Sequence, residues 1–116
     1  EHPLVTYVKY PFRPDHPQEE IARKQMKAGG AVLTIGLDSD QQQTYTFCKN
    51  LQYFTMAESL GGVESLVCHP ATMTHASIPE DIRKEIGISD GLLRLSIGIE
   101  HIDDLIDDLN MAIAKL

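Results

Sequence analysis

The stretch Gly91-Leu92-Leu93-Arg94-Leu95-Ser96-Ile97-Gly98-Ile99 decides the fold, because its side chains alternate in character. One set is apolar and contains Leu93, Leu95, Ile97 and Ile99; the other set is smaller or polar at most positions and contains Leu92, Arg94, Ser96 and Gly98. A period of two puts the two sets on opposite faces of a β-strand. The stretch therefore predicts a strand over residues 92–99, with one face against a core and Arg94 on the other.

The last segment of the chain has the periodicity of a helix. Apolar residues recur at spacings of three and four, at Ile102, Leu105, Ile106, Leu109, Ile113 and Leu116. This spacing predicts an amphipathic helix over residues 102–116. We expect the acidic residues between them to form a solvated face: Asp103, Asp104, Asp107 and Asp108. A calcium site is the weaker alternative, because no glycine-containing loop spaces these carboxylates.

Upstream of residue 91, helix-like and strand-like segments alternate without a repeat or a long linker. We predict strands over 4–8, 31–37 and 64–68. We also predict three helices: one over 17–28, a second that begins at Ser39, and a short third that ends at Ile86. Ser39 with Gln42, and Ser77 with Glu80, have the spacing of capping boxes. The pattern predicts one α/β (α+β) domain over residues 1–116, with a small mixed or antiparallel sheet and helices on one side. Residues 1–16 form a connecting segment.

The composition argues against two classes of partner. The net charge is −7, with ten basic residues against seventeen acidic ones, whereas nucleic-acid binding needs clustered Lys and Arg. No stretch approaches the ~20 consecutive apolar residues of a membrane span, and the polar start Glu1-His2-Pro3 does not resemble a signal peptide. We therefore expect a cytoplasmic protein that binds neither nucleic acid nor membrane, with Cys48 and Cys68 as buried thiols.

Cysteine, histidine and serine side chains between residues 59 and 75 suggest two kinds of site that fit poorly. Cys68, His69 and His75 could bind zinc, but they lack a CxxC pair and a fourth ligand at a familiar spacing. Ser59 or Ser65 could join a histidine in a nucleophilic triad, but Ser59 lacks the strand–turn–helix frame of a nucleophile elbow. We predict neither a metal site nor a serine nucleophile.

Arg94 is the strongest candidate for a binding residue. It lies in mid-strand between Leu93 and Leu95, and a charged side chain is rarely buried unless it is paired. A guanidinium presents two donors that match a carboxylate. An exposed position, or a salt bridge to one of the chain's own acids, is the alternative. Spacing alone leaves these alternatives open beside a substrate clamp, for which Ser96 and Gly98 are small enough to leave room.

Several further motifs follow one another along the chain. They are Tyr10-Pro11, His16-Pro17-Gln18, Arg23-Lys24-Gln25-Met26 with Gly29-Gly30, Glu58-Ser59-Leu60-Gly61-Gly62-Val63-Glu64-Ser65-Leu66, His69-Pro70-Ala71-Thr72-Met73-Thr74-His75, Gly87-Ile88-Ser89-Asp90 before Gly91, and Gly98-Ile99-Glu100 with Asp103-Asp104-Leu105-Ile106. In order and spacing they resemble the cystathionine γ-synthase and γ-lyase group, the trans-sulfuration family of pyridoxal-phosphate (PLP) enzymes. The resemblance covers nearly the whole chain.

The resemblance implies a fold-type-I PLP enzyme that assembles as a homotetramer of tight dimers. The chain resembles its smaller C-terminal domain, while the larger N-terminal domain carries the lysine that binds PLP. By resemblance, Arg94 holds the α-carboxylate of the amino-acid substrate, and Ser59 lies beside the cofactor lysine and helps to bind that carboxylate. Glu58 recognises the distal amino group of cystathionine or tunes γ-substitution. The implied substrates are cystathionine, or O-acyl-homoserine with cysteine.

One family motif has no counterpart in this chain. The cofactor lysine of the family stands in a Ser-x-Thr-Lys type motif, and none of the lysines here does: Lys9, Lys24, Lys27, Lys49, Lys84 and Lys115. The resemblance therefore implies half of an active site, inactive alone, with no catalytic or cofactor-binding residue in this chain. The resemblance does not distinguish a synthase from a lyase, because both use these residues. The alternative from another class is a non-catalytic interaction module that docks onto a partner.

Overall fold

The computed structural model describes residues 2–116, so that Glu1, the first residue of the predicted connecting segment, lies outside the described residues. Strands and helices alternate along the chain, as the sequence predicts. The elements are β1 (Val5–Lys9), α1 (Glu19–Gln25), β2 (Val32–Leu37), α2 (Gln41–Asn50), β3 (Thr55–Met56), β4 (Leu66–Cys68), α3 (Glu80–Glu85), β5 (Leu92–Ser96) and α4 (Ile102–Ile113). Only β3, which has two residues, has no counterpart in the prediction.

The strands form one mixed sheet in the order β1-β2-β5-β4-β3. The strand predicted from the 91–99 stretch is β5, which lies at the centre and runs antiparallel to both β2 and β4. Strand β3 runs parallel to β4, and β1 pairs antiparallel with β2. The register puts Arg94 between Thr34 of β2 and Cys68 of β4. Arg94 therefore lies in the middle of the sheet.

The core lies on one face of this sheet, under α2 and α4. Leu93 and Leu95 of β5 are fully buried and belong to one apolar cluster with Phe47 of α2 and Leu105 of α4. Burying a side chain of this size contributes roughly 1.5–3 kcal/mol, so the apolar set of β5 holds the helices against the sheet. The α/β class and the apolar face of β5 are confirmed. The strand ends at Ser96 rather than at residue 99, because its pairing with both neighbours ends there.

Both predicted capping boxes are wrong. Helix α2 is capped by Asp40, whose side chain accepts the Gln43 N–H at 2.8 Å, while the Gln43 side chain accepts the Asp40 N–H at 3.0 Å. Ser39 contacts the Thr44 hydroxyl instead. Helix α3 begins after Pro79 and has no side-chain cap. Ser77 does not cap it, because the N-cap position is occupied by Pro79 and Ser77 lies two residues before it.

Helix α1 is shorter than predicted and contributes nothing to the core. It ends at Gln25, since Met26 is already extended, and none of its residues is buried. The predicted continuation to residue 28 is therefore wrong. Strand β4 likewise begins at Leu66, two residues later than predicted.

Asp108 is not part of a solvated face. Its side chain is completely buried, and its carboxyl oxygen atoms accept the main-chain N–H groups of Gln52, Tyr53 and Phe54 at 2.8, 2.9 and 3.3 Å. Asp103, Asp104 and Asp107 are exposed, as predicted. The prediction failed at Asp108 because the segment after α2 presents three donors that no strand or helix satisfies.

Cys48 and Cys68 are buried free thiols, as predicted. Burial raises the pKa of Cys48 to about 12, with a further contribution from nearby Cys68. Among residues 2–116, no helix has the length and apolar character needed to cross a membrane.

Candidate functional site

Arg94 projects from the sheet face opposite to α2 and α4. Leu93 and Leu95 point into the core, and alternation along a strand places Arg94 on the other side. Its side chain is partly buried. The central strand therefore fixes the point at which this side chain leaves the backbone.

The loop over residues 57–65, which joins β3 to β4, lies against the Arg94 guanidinium. Arg94 Nη2 donates to the main-chain carbonyl of Glu58 at 2.5 Å and to that of Ser59 at 3.1 Å. The three residues predicted to bind substrate are thus close together in space. Their contact uses the main chain of Glu58 and Ser59, whose exposed side chains have no hydrogen-bond partner within residues 2–116.

The charge of Arg94 is not neutralised within the described part of the chain. No ion pair there includes it, and its Nε and Nη1 have no acceptor among residues 2–116. Arg83 shows the opposite arrangement, because both of its Nη atoms donate to Asp90 Oδ1 at 3.0 and 2.9 Å. In a chain of net charge −7, Arg94 thus keeps its charge, and two of its three nitrogen atoms have no acceptor among residues 2–116.

The charges of Arg94 and Glu58 act on the Cys68 thiol. Burial is the main reason that the pKa of Cys68 is raised above its ordinary value. The Arg94 charge opposes this rise in pKa, whereas the Glu58 charge adds to it. Both charges therefore act at Cys68, and the thiol stays protonated at neutral pH rather than forming an anionic partner for Arg94.

The sequence predicts open space beside Arg94, over the small residues Ser96 and Gly98, and this prediction is wrong. Ser96 is buried, and its Oγ accepts the Gly61 N–H at 2.8 Å. Glu100 accepts the N–H of Ser65 at 2.7 Å and its hydroxyl at 2.9 Å. The 57–65 loop thus covers this part of the strand. Sequence reasoning missed Glu100, although it stands within the quoted Gly98-Ile99-Glu100 motif.

His69 and Ser65, which belong to the rejected sites, already have other partners. His69 is fully buried, with Nε2 at 2.7 Å from the Asp90 carbonyl and Nδ1 at 2.9 Å from the Thr72 hydroxyl. Burial lowers the pKa of His69. Ser65 Oγ contacts Glu100 and no histidine. Within the described range, no cluster of three or more His, Cys, Asp or Glu side chains is placed to hold a metal ion.

The donor set around Arg94 suits a carboxylate and not the whole of a PLP molecule. The cofactor needs a lysine amine and donors for its phosphate. All lysines of the chain are exposed, and two of them pair with glutamates of their own helix: Lys24 with Glu20 and Lys84 with Glu80. The guanidinium of Arg94 is the group near the 57–65 loop that can bind an anion.

Comparison with known proteins identifies the relatives of this arrangement. The family model described as "Cys/Met metabolism PLP-dependent enzyme" matches residues 1–114. A cystathionine beta-lyase of Lactococcus lactis subsp. cremoris (strain MG1363) is 54% identical over 111 residues, which are 96% of this chain and 29% of the relative.

Solved structures share the fold along almost the whole chain. The crystal structure of cystathionine gamma-lyase from Lactobacillus plantarum complexed with L-serine has a TM-score of 0.87 at 46% identity, covering 98% of this chain and 30% of that one. That of cystathionine gamma synthase from Xanthomonas oryzae pv. oryzae in complex with aminoacrylate and cysteine has a TM-score of 0.86 at 47% identity, covering 99% and 31%. The chain therefore spans less than a third of the length of these relatives.

Proposed function

Because the chain belongs to the Cys/Met metabolism PLP-dependent enzyme family, we propose that it is the C-terminal substrate-binding domain of a trans-sulfuration enzyme. In this proposal Arg94 binds the α-carboxylate of an amino-acid substrate. The observation that carries it is the partly buried Arg94 guanidinium, which has no carboxylate partner within residues 2–116. The family resemblance of the surrounding sequence supports the same role.

Arginine suits this role for a physical reason. A hydrogen bond to a charged group contributes ~1.5–3 kcal/mol, and the planar guanidinium can give two such bonds to one carboxylate. The rigid strand and the two loop carbonyls hold the Arg94 guanidinium before a ligand arrives. Little side-chain freedom is then lost on binding, which favours affinity.

The two carbonyl contacts bear on the geometry of binding. A carboxylate bound end-on accepts from Nη1 and Nη2 together. Nη1 has no acceptor within the described residues, while Nη2 already donates to Glu58 and Ser59. The incoming carboxylate would share Nη2 with the Glu58 carbonyl and replace the longer bond to Ser59. In this proposal the Ser59 hydroxyl also helps to bind that carboxylate.

PLP, when bound, acts as the electron sink that stabilises negative charge at the substrate Cα. In our proposal the lysine that binds PLP comes from a larger N-terminal domain, so that this chain is half of a site and inactive alone. The part of this chain is to orient the substrate. An anchored α-carboxylate fixes the orientation of the bonds at the substrate Cα. Orientation of this kind lowers the activation barrier by up to ~7–11 kcal/mol in favourable cases.

The proposed substrates are cystathionine, or O-acyl-homoserine with cysteine, and the proposed reactions are those of a γ-synthase or a γ-lyase. The exposed Glu58 carboxylate, adjacent to the Arg94 site, supports recognition of a distal amino group. The 54% identity to a cystathionine beta-lyase makes β-cleavage the competing reaction. The released thiol separates the two lyase reactions, because breaking the Cγ–S bond of cystathionine gives cysteine and breaking Cβ–S gives homocysteine.

We also propose that the full-length protein acts in the cytoplasm as a homotetramer, as its family resemblance implies. Exposed apolar side chains near the 57–65 loop support association with other protein surfaces: Leu60, Val63 and Ile99 are 51, 71 and 82% exposed. Light scattering on the purified full-length protein measures its oligomeric state, and a monomer would contradict this part of the proposal. Cell fractionation tests the location.

The central test is the affinity of the full-length, PLP-loaded protein for L-cystathionine. Arg94→Lys keeps the positive charge but loses the planar pair of guanidinium donors. We therefore expect the dissociation constant of L-cystathionine to rise about tenfold, as the loss of one charge-assisted hydrogen bond predicts. Arg94→Ala should weaken binding further, with PLP still bound. Arg23→Ala is the matched control, because Arg23 is exposed and pairs with Glu19 on its own helix. Unchanged affinity in Arg94→Ala would overturn the proposal.

A further inference from the structure

The strand that carries Arg94 continues into a segment that holds the 57–65 loop in place. Two residues after Arg94, the fully buried Ser96 accepts the Gly61 N–H through its Oγ at 2.8 Å. The Ile99 N–H donates to the Val63 carbonyl at 2.9 Å. The loop that supplies the acceptors of Arg94 is therefore bound along residues 96–100 of the same chain segment.

Glu100 holds the end of this loop through Ser65. Its two carboxylate oxygens accept the N–H and the hydroxyl of Ser65 at 2.7 and 2.9 Å. Ser65 Oγ in turn accepts the Gly98 N–H at 2.9 Å. The N–H of Ser65 is the main reason that the pKa of Glu100 lies below its ordinary value, so that the carboxylate is charged at neutral pH. This polar network is satisfied throughout.

Gly98 allows the close approach of the loop to this segment. A Cβ atom at residue 98 would lie 2.3 Å from the Val63 carbonyl oxygen and 2.7 Å from the Glu64 carbonyl carbon. Both are main-chain atoms, so a larger residue would force the loop away. Gly62, within the loop itself, has no such constraint, since a Cβ there would meet nothing nearer than 4.0 Å.

We propose that Gly98 and Glu100 are positioning residues, which hold the 57–65 loop so that the Glu58 and Ser59 carbonyls orient the Arg94 guanidinium toward the substrate carboxylate. This inference rests on the proposed function. Its physical basis is that a flexible arginine side chain binds a carboxylate more tightly when its orientation is fixed beforehand. No hydrogen bond joins Gly98 or Glu100 to Arg94 within residues 2–116, and in this proposal both act on it through the loop.

The test compares two ligands of the full-length, PLP-loaded protein that differ only at the α-carboxylate. L-serine carries that carboxylate, and L-serinamide replaces it with a neutral amide. In Gly98→Ala and Glu100→Ala we expect the dissociation constant of L-serine to rise roughly three- to thirtyfold, which lies within the range for residues coupled through one hydrogen-bond network. The constant for L-serinamide should stay within about twofold. Calorimetry measures both without turnover.

Matched controls and a milder variant keep the result interpretable. Gly62→Ala and Glu64→Ala introduce the same chemical changes within the loop, at positions where the added methyl has space and the exposed carboxylate has no hydrogen bond within residues 2–116. Both should keep the preference of the parent for L-serine. Glu100→Gln retains shape and one acceptor oxygen, so it should fold even where the alanine variants do not and should show a smaller loss.

Arg94→Ala separates failure of this inference from failure of the proposed function. If Arg94→Ala abolishes the preference for L-serine while the Gly98 and Glu100 variants keep it, the positioning role is wrong and the carboxylate role stands. If Arg94→Ala keeps the preference, both are wrong. Equal weakening of both ligands in the Gly98 and Glu100 variants would indicate a general structural role and overturn the inference.

Discussion

Arg94 donates to the main-chain carbonyl of Glu58 at 2.5 Å and forms no ion pair with the carboxylate of the same residue. A carbonyl dipole orients a guanidinium without neutralising its charge, whereas a carboxylate would orient the guanidinium and also neutralise its charge. The contact therefore leaves Arg94 held in place and still cationic. This arrangement is suited to an anion that comes from outside the described chain.

Arg83 and Arg94 should respond differently to alanine substitution. Arg83→Ala leaves Asp90 without its partner in a largely buried position, so we expect a loss of unfolding free energy on the order of 2–3 kcal/mol. Arg94→Ala removes only contacts to loop carbonyls and should cost about 1 kcal/mol or less. Urea denaturation of the 116-residue chain measures both. A larger loss for Arg94→Ala would make Arg94 a structural residue.

The isolated chain should form no specific covalent adduct with PLP. Its lysines are exposed, and none stands in a Ser-x-Thr-Lys type motif, which the family resemblance implies for the lysine that binds PLP. We expect scattered, substoichiometric modification after incubation with PLP and reduction with borohydride. Intact-mass measurement and peptide mapping give the stoichiometry and the position. One adduct per chain at a single lysine, accompanied by lyase activity, would contradict the half-site proposal.

If the proposed function holds, Glu58→Ala in the full-length protein should change substrate preference more than cofactor binding. The Glu58 main chain contacts Arg94, but its carboxylate is exposed and has no hydrogen bond within residues 2–116. The side chain is therefore available to a substrate's distal amino group. Comparing kcat/KM for L-cystathionine and for a substrate without that amino group measures the effect, and Glu64→Ala is the control. An unchanged ranking of substrates would leave Glu58 without a role in specificity.

The raised pKa of Cys48 predicts a loss of stability in alkaline solution. In the folded chain the pKa is about 12, against 9.0 for an ordinary thiol, so the unfolded chain releases the proton first. The contribution is complete below about pH 9 and declines as the pH rises toward 12, by up to ~1.4 kcal/mol per pH unit. Stability should therefore fall less steeply in Cys48→Ala than in the parent between pH 9 and 11. Parallel curves would refute this assignment.

The elements best predicted from sequence are those whose signals are local. The two-residue period of β5 and the helical spacing of α4 depend on near neighbours, and the structure confirms both. The predicted cap of α2 is wrong by one position, because Ser39 and Asp40 are adjacent residues with equal capping ability. Ser39 instead contacts the Thr44 hydroxyl, five residues along the chain.

The candidate site was predictable only in part, because its geometry comes from long-range contacts. Arg94 was identified from its strand and from the family resemblance. Its acceptors on Glu58 and Ser59 lie 36 and 35 residues away in sequence, and the contact of Glu100 with Ser65 spans 35 residues. No periodicity or short motif specifies which loop folds over which strand. The same limit hid the role of Asp108, whose partners are 54 to 56 residues away.

Asp108 provides the sharpest test of a single buried contact. Asp108→Ala would leave the N–H groups of Gln52, Tyr53 and Phe54 without their acceptor, and an unsatisfied buried donor costs about 1–3 kcal/mol. Since water can reach part of this segment, we expect a total loss of roughly 3 kcal/mol of unfolding free energy. Asp108→Asn keeps the volume and one acceptor but turns an NH₂ group toward N–H donors, so it should lose an intermediate amount. Asp107→Ala, next along the helix and exposed, should stay within about 0.5 kcal/mol of the parent. Urea denaturation of the three variants measures the series, and equal stability of Asp108→Ala and Asp107→Ala would show that these hydrogen bonds contribute nothing net to the fold.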